Sequence, residues 1–181
     1  MILFFAPKAS RLLLVGLAVT ALSVPMGSAS AAQQTVVEKS GPGFVEYQYA
    51  DGATAGWYSE EYLRANPEQA RARGITAHED DAAFRTQSGS EWDGQTYISV
   101  TGKSLTVTDW TTQTLGNRGC LHASFLRNWK NFRPGIKVCP KGNGPGVYTA
   151  NLHGKRKFKH KDALCNEWTK TTGQACITIK K

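Results

Sequence analysis

The fold is indicated first by the stretch QTYISVTGKSLTVTDWTTQTLG, which covers residues 95–116. In its first half Ile98 and Val100 share one face, and in its second half Leu105 and Val107 alternate with threonines. Alternation with a period of two and a high content of β-branched residues are typical of half-buried strands. A glycine and a lysine between the two halves predict a turn. The stretch therefore predicts two strands that form a hairpin.

Short strand patterns continue to the end of the chain. Residues 121–129 fit either a strand or a helix, and we favour a strand because the flanking patterns are strands. The motif Arg133-Pro134-Gly135 predicts a tight turn before residues 136–139. Residues 147–152 predict another strand, and residues 163–168 and 174–180 predict a last hairpin. The sequence therefore predicts a mainly β fold: a small antiparallel β-sandwich or barrel with two disulfides, preceded by a short acidic α-helical segment.

Four cysteines lie in this part of the chain, at Cys120, Cys139, Cys165 and Cys176. An even number in an exported chain predicts two disulfides. We favour the pairs Cys120–Cys139 and Cys165–Cys176, because the second pair flanks the predicted hairpin. A metal site would combine Cys120 and Cys165 with His122 and His160. We disfavour it, because Cys120-x-His122 is not a zinc-finger spacing.

The N-terminus has the pattern of a signal peptide. Lys8 and Arg11 precede an apolar run over residues 12–24, and Ala29-Ser30-Ala31 fits a cleavage site. The apolar run is shorter than the roughly 20 residues that a membrane-spanning helix needs. We therefore predict a signal peptide at residues 1–31 and a secreted, extracellular protein.

Residues 32–94 are predicted to form an acidic N-terminal segment with short helices, and residues 95–181 a basic β domain pinned by the disulfides. Residues 33–42 are predicted to be disordered and residues 43–50 to form a strand. Residues 59–73 predict two short helices, with Ser59 capping the first and Pro67 opening the second. Residues 75–94 predict a loop. Its motif His78-Glu79-Asp80-Asp81 could bind a divalent cation, but it lacks the spacing of an EF-hand.

Charge divides the chain between these two segments. Residues 95–181 hold 15 lysines and arginines against three acidic residues, whereas residues 32–94 hold five against eleven. An asymmetry this large indicates an electrostatic function for the basic part. The basic residues are densest in the run HGKRKFKHK at residues 153–161. With a period of two, its lysines would share one face.

The sequence predicts a polyanion-binding site in this run, at Lys155, Arg156, Lys157, Lys159 and Lys161. The expected partner is an anionic polysaccharide, a teichoic acid or a membrane surface of the cell envelope, and a protein partner is a further candidate. Nucleic acid is disfavoured, because a secreted protein rarely meets it and Phe158 alone gives little aromatic stacking. No cofactor and no metal is expected.

Two other functions stay open at this point. The first is an antimicrobial or toxin-like effector with residues 32–94 as an acidic pro-region. The second is a protease inhibitor that presents residues 140–146, or a small hydrolase that pairs a histidine with Asp162 or Glu167. No nucleophile or metal-ligand motif supports an enzyme, and we assign no catalytic residue. Exposed tryptophans would stack on sugars, although Trp110 and Trp168 lie in strand patterns that predict core positions.

Overall fold

The computed structural model describes residues 35–75, 89–116 and 119–181. The predicted signal peptide and the motif His78-Glu79-Asp80-Asp81 lie outside the described residues. In chain order the described elements are β1 (Thr35–Gly41), β2 (Phe44–Tyr49), β3 (Thr54–Ser59), α1 (Glu60–Ala65), α2 (Pro67–Ala72), β4 (Ser90–Asp93), β5 (Thr96–Lys103), β6 (Thr106–Gly116), β7 (Leu121–Arg127), β8 (Lys130–Val138), β9 (Gly146–Lys157), β10 (Ala163–Trp168) and β11 (Ala175–Thr178).

The strands form two antiparallel sheets that pack face to face. The larger sheet has the order β1-β2-β3-β9-β6-β5-β4, and the smaller has the order β11-β10-β7-β8. The prediction of a mainly β, antiparallel sandwich with two disulfides and short helices is confirmed, and the sheets do not close into a barrel. Among the described residues, no helix has the length and apolar character needed to cross a membrane.

Large aromatic side chains fill the space between the sheets. Trp57, Trp110, Tyr148 and Phe125 are all buried there, and the prediction of a core position for Trp110 is confirmed. The Trp110 indole donates a 2.7 Å hydrogen bond across the core to Asn166 Oδ1. A second cross-core bond of 2.9 Å runs from the buried Trp168 indole to Thr112 Oγ1. These bonds satisfy polar groups that would otherwise be costly to bury.

Both predicted disulfides are present. Cys120–Cys139 joins the residue before β7 to the residue after β8, and Cys165–Cys176 joins directly opposite residues of β10 and β11. No cysteine is free, so none can serve as a metal ligand. Two disulfides indicate an oxidising environment.

Residues 35–59 contribute three strands to the larger sheet. The prediction of disorder is wrong over Thr35–Gly41, where β1 pairs with β2. β3 had no predicted counterpart, although it lies near the centre of the sheet and pairs with β9. This pairing joins the acidic segment and the basic segment in one sheet. Residues 90–93, predicted as loop, form the edge strand β4.

Helices α1 and α2 cover part of the outer face of the larger sheet. As predicted, Ser59 caps α1: its hydroxyl accepts a 3.1 Å bond from the amide of Tyr62. Pro67 opens α2 as predicted, but Asn66 makes no side-chain cap for it. Asn66 instead donates to the carbonyl of Tyr62 at the end of α1. Tyr58, Ile75 and Val147 pack between the helices and the sheet.

The tight turn next to β8 lies earlier than the sequence predicted. Asn128 and Trp129 connect β7 to β8 with φ values of 50° and 61°. Two consecutive positive φ values are typical of a type I′ hairpin turn. Arg133-Pro134-Gly135 lies inside β8, in a stretch where its register against β7 shifts. A proline and a glycine at this point produce an irregular edge strand rather than a turn.

Four strands lie at the sheet edges: β1 and β4 in the larger sheet, and β8 and β11 in the smaller. β4 and β11 have four residues each. β1 carries Glu38 and Lys39, and β8 carries the exposed Lys130 and Lys137. Short and charged edges resist pairing with the edges of other molecules.

Candidate functional site

Four segments that are distant in sequence meet at one end of the sandwich. They are the β5–β6 turn with its flanking strand residues (102–106), the β7–β8 turn with its flanking strand residues (127–132), the end of β9 with the loop to the start of β10 (154–163), and the C-terminus (179–181). The amide of Phe158 donates to Leu105 O at 2.9 Å, and the amide of Lys161 donates to Ile179 O at 2.8 Å. The amide of Asn128 donates to Ala163 O at 2.8 Å. We call this combined surface the basic end.

The basic end collects ten cationic side chains, and all except two arginines among them are exposed. They are Lys103, Arg127, Lys130, Lys155, Arg156, Lys157, Lys159, Lys161, Lys180 and Lys181. The single acidic residue in the four segments is Asp162, which is 5% exposed. A surface with this balance produces a strong positive potential in the surrounding solvent.

The residues predicted from the sequence differ in how they are held. Lys155 and Lys157 are exposed on β9, which continues through most of the predicted basic run. Lys159 and Lys161 lie beyond the strand, and Lys161 has a φ of 71°, so the predicted alternation does not extend to them. Arg156 is half-buried, and its guanidinium donates to the carbonyls of His153 and Gly154. The lysines are therefore the groups available to a ligand.

Asp162 organises the basic end from inside. Its carboxylate accepts a 2.7 Å bond from the amide of Lys159 and a 2.8 Å bond from Asn128 Nδ2. Arg127 Nη2 lies 2.6 Å from the same carboxylate, and its guanidinium also packs over the ring of Phe158. Burial alone would raise the pKa of Asp162, but these bonds outweigh it and hold the pKa below its usual value. Asp162 is an internal anchor rather than an exposed acid.

Replacing this anchor should destabilise the protein in a pH-dependent way. We expect Asp162→Asn to lower the free energy of unfolding at pH 7 by about 2 kcal/mol, because buried donors lose a charged acceptor. A carboxylate whose pKa is lowered by folding stabilises the protein above its unfolded pKa of about 3.9, and this contribution disappears as the pH falls through the folded pKa. The difference between wild type and variant should therefore shrink below about pH 4. Urea unfolding between pH 2 and 7 measures it.

Glu68→Gln provides the control for this experiment. Glu68 pairs with Arg71 on the surface of α2, and its side chain is 83% exposed. An exposed pair of this kind contributes about 0.5 kcal/mol or less. If Asp162→Asn were as mild as Glu68→Gln, or if its effect did not change with pH, the role of Asp162 as an anchor would be contradicted.

An exposed aromatic side chain projects from the basic end. Trp129 is 68% exposed at the tip of the β7–β8 turn, and Phe132 on β8 is 40% exposed. Phe132 also packs against Trp110 and Phe158, so it links the surface to the core. The sequence pattern favoured a strand over residues 121–129, so the position of Trp129 in a turn was not predicted. The signal lay in Asn128, which tolerates positive φ better than most residues.

One histidine–carboxylate pair lies beside the basic end, and it is not the predicted one. His153 Nδ1 is 2.9 Å from Asp109 Oδ1, and His153 Nε2 is 3.0 Å from Thr54 Oγ1. Since a carboxylate only accepts, Nδ1 carries a proton and the ring is fixed at both nitrogens. Asp162 serves as the anchor described above, and Glu167 accepts a hydrogen bond from Gln174. The pairing of a histidine with Asp162 or Glu167 is therefore not found among the described residues.

The remaining predicted site residues do not come together. His122 is half-buried on β7, whereas the imidazole of His160 accepts a bond from the amide of Lys181 at the basic end. Across residues 35–75, 89–116 and 119–181, no group of three histidine, cysteine or acidic side chains is placed to hold a metal. The loop at residues 140–146 is fixed through Lys141, whose Nζ lies 2.6 Å from Glu38 Oε1 and 3.3 Å from Ser40 Oγ.

Comparison with known proteins gives no relative. No family model, no curated protein and no solved structure matches the chain. The basis for a function is therefore this chain's own sequence and structure.

Proposed function

We propose that this protein is exported and binds an anionic polymer or surface of the cell envelope through the basic end. The observation that carries the proposal is the convergence of ten lysines and arginines from four separate segments, with the single acid among them turned inward. A solvated basic loop would account for the charged run at residues 153–161, but it would not explain why four separate basic segments come together. Bringing like charges together opposes folding, so their collection at one end is best explained by a polyanionic ligand.

The disulfides and the N-terminal sequence support export as the setting for this function. Both disulfides suit an oxidising compartment, and residues 1–31 have the composition of a signal peptide. Release of residues 32–94 as a pro-region would remove β1 to β4 and the buried Trp57. We therefore propose that the chain from residue 32 onward binds as one unit.

The proposal is tested by sedimenting the protein with purified cell walls that carry teichoic acid. We expect binding at about 50 mM salt and release at about 500 mM, because exchange of bound counterions makes polyanion binding strongly salt-dependent. Walls stripped of teichoic acid serve as the control for the anionic polymer. Absence of binding at low salt would overturn the proposal, and so would binding that resists high salt.

A further inference from the structure

A row of polar side chains crosses the outer face of the larger sheet, next to the basic end. Six neighbouring strands each contribute one residue, and the strand pairing places these residues side by side: Gln48, Thr54, Asn151, Thr111, Ser99 and Ser90. Gln48 and Ser90 are exposed, and the other four are half-buried. Neighbouring strands lie about 4.8 Å apart, so the row presents hydroxyl and amide groups at regular intervals.

A groove of about 370 Å³ lies over the β2, β3, β9 and β6 part of this row. Its floor includes Gln48, Thr54, Asn151 and Thr111, and the end of α2 forms one side. The groove has the size of a small-molecule site. Helices α1 and α2 leave this part of the sheet uncovered while they cover the neighbouring apolar part.

The charges in the groove are largely paired within the protein. Glu46 Oε1 accepts bonds from Arg73 Nε at 2.5 Å and from the Tyr58 hydroxyl at 2.9 Å. Burial, followed by the negative charge of Glu46, raises the pKa of Tyr58. His153 is likewise held by Asp109, and Lys39 stands at the rim in register with Glu46. The floor is therefore suited to uncharged hydroxyl groups rather than to a phosphate.

The floor also contains an acceptor that needs a donor. Asn151 Oδ1 is covered and receives no hydrogen bond from any described residue. An unsatisfied amide oxygen of this kind favours rotation of the side chain towards a donor. A ligand hydroxyl in the groove would supply that donor.

The groove continues into the basic end along β9. His153 lines the groove, and Lys155 and Lys157 follow it on the same side of the strand. The pairing of Arg156 with the buried Val107 confirms that these two lysines face outward. A neutral, hydroxyl-binding groove and a ridge of lysines thus form one continuous track.

From this track we infer that the ligand is an anionic polysaccharide, with one sugar unit in the groove and its acidic groups along Lys155 and Lys157. The inference rests on the proposed function and narrows it. A sugar supplies hydroxyl donors and acceptors for the polar row, and the carboxylates of neighbouring units complement the lysines. A lipid surface is too flat to enter the groove, and an unglycosylated polyphosphate has nothing for the row to bind.

The test compares a polyanion that contains sugars with one that does not. Oligogalacturonate and hyaluronate fragments are the sugar probes, and polyphosphate of matched charge is the sugar-free probe, each titrated calorimetrically into the full mature protein. Asn151→Leu should weaken binding of at least one sugar probe about tenfold and change polyphosphate binding less than about twofold. Thr111→Val, a nearly isosteric change on the same floor, should show the same selectivity if Asn151→Leu perturbs folding.

The outcomes separate this inference from the proposed function. Lys155→Glu with Lys157→Glu should weaken all probes, and if wild type binds none of them the proposed function itself fails. If the lysine variant weakens binding but neither groove variant distinguishes sugar probes from polyphosphate, the inference alone is overturned. NMR spectroscopy tests the position of the sugar directly. The side-chain amide signals of Asn151 and the ring signals of His153 should shift when a sugar probe is added and should not shift with polyphosphate.

Discussion

The double variant Lys155→Glu, Lys157→Glu is expected to bind a linear polyanion on the order of 100-fold more weakly than wild type at low salt. Two attractive contacts are lost and two repulsive ones replace them, and each exposed charge contact contributes about 0.5–1 kcal/mol. The dependence of affinity on salt should also become shallower, because fewer counterions are released on binding. Titration of teichoic acid or polyphosphate at several salt concentrations measures both effects.

The matched control carries the same change of net charge away from the basic end. Lys137 and Lys170 are exposed, the first near the end of β8 and the second in the β10–β11 turn. Lys137→Glu with Lys170→Glu should weaken binding less than about tenfold, through the long-range field alone. If both double variants weakened binding equally, net charge rather than the basic end would govern affinity, and the site assignment would fail.

Among single substitutions at turns, Gly173→Ala should cause the largest decrease in the free energy of unfolding. Gly173 has a φ of 93°, and a Cβ atom there would overlap the carbonyl oxygen of Asp93 and lie 2.5 Å from its carbon. The β10–β11 turn is docked on the β4–β5 turn at this point, since the amide of Gln95 donates to Thr172 O at 3.0 Å. We expect a loss of about 3–4 kcal/mol, because backbone atoms must move apart. Thermal and urea unfolding measure it.

Gly52→Ala isolates the backbone contribution to this effect. Gly52 has a similar φ of 78°, but a Cβ atom there would meet no atom within 4 Å. The substitution should therefore cost only about 1 kcal/mol, which reflects the positive φ without a clash. If the two variants lowered the free energy of unfolding equally, the contact between the β10–β11 and β4–β5 turns would make no contribution to stability.

Strand patterns with one buried face were predictable from the sequence, and strands without such a face were not. β5 shows such a face, since Ile98 and Val100 pack in the core while Ser99 between them is half-buried on the other side. In β3, residues 55–58 are all buried, since the core lies on one side and residues of β2, β9 and the helices on the other. A strand covered on both faces has no period of two to detect. β1 is a polar edge strand, which resembles a disordered tail in composition.

The site was predictable only in part for a related reason. The run at residues 153–161 is visible because its charges are consecutive, and the sequential disulfide pairing followed from the hairpin that it closes. Lys103, Lys130 and Lys180 reach the same surface through long-range pairing of strands, which no local pattern encodes. Trp129 was missed because a turn usually carries glycine at its second position. The floor of the groove depends on the register of β2, β3, β9 and β6, which no local sequence pattern encodes.

Protection of the sheet edges against pairing with other molecules is most important when many copies of the protein are bound close together. A long polymer with repeated binding sites concentrates the protein far above its value in free solution. Exposed strand edges at such density would favour sheet extension from one molecule to the next. The charges on β1 and β8 and the shortness of β4 and β11 oppose this, so a coated polymer should carry separate, exchangeable molecules rather than a fused β-sheet layer.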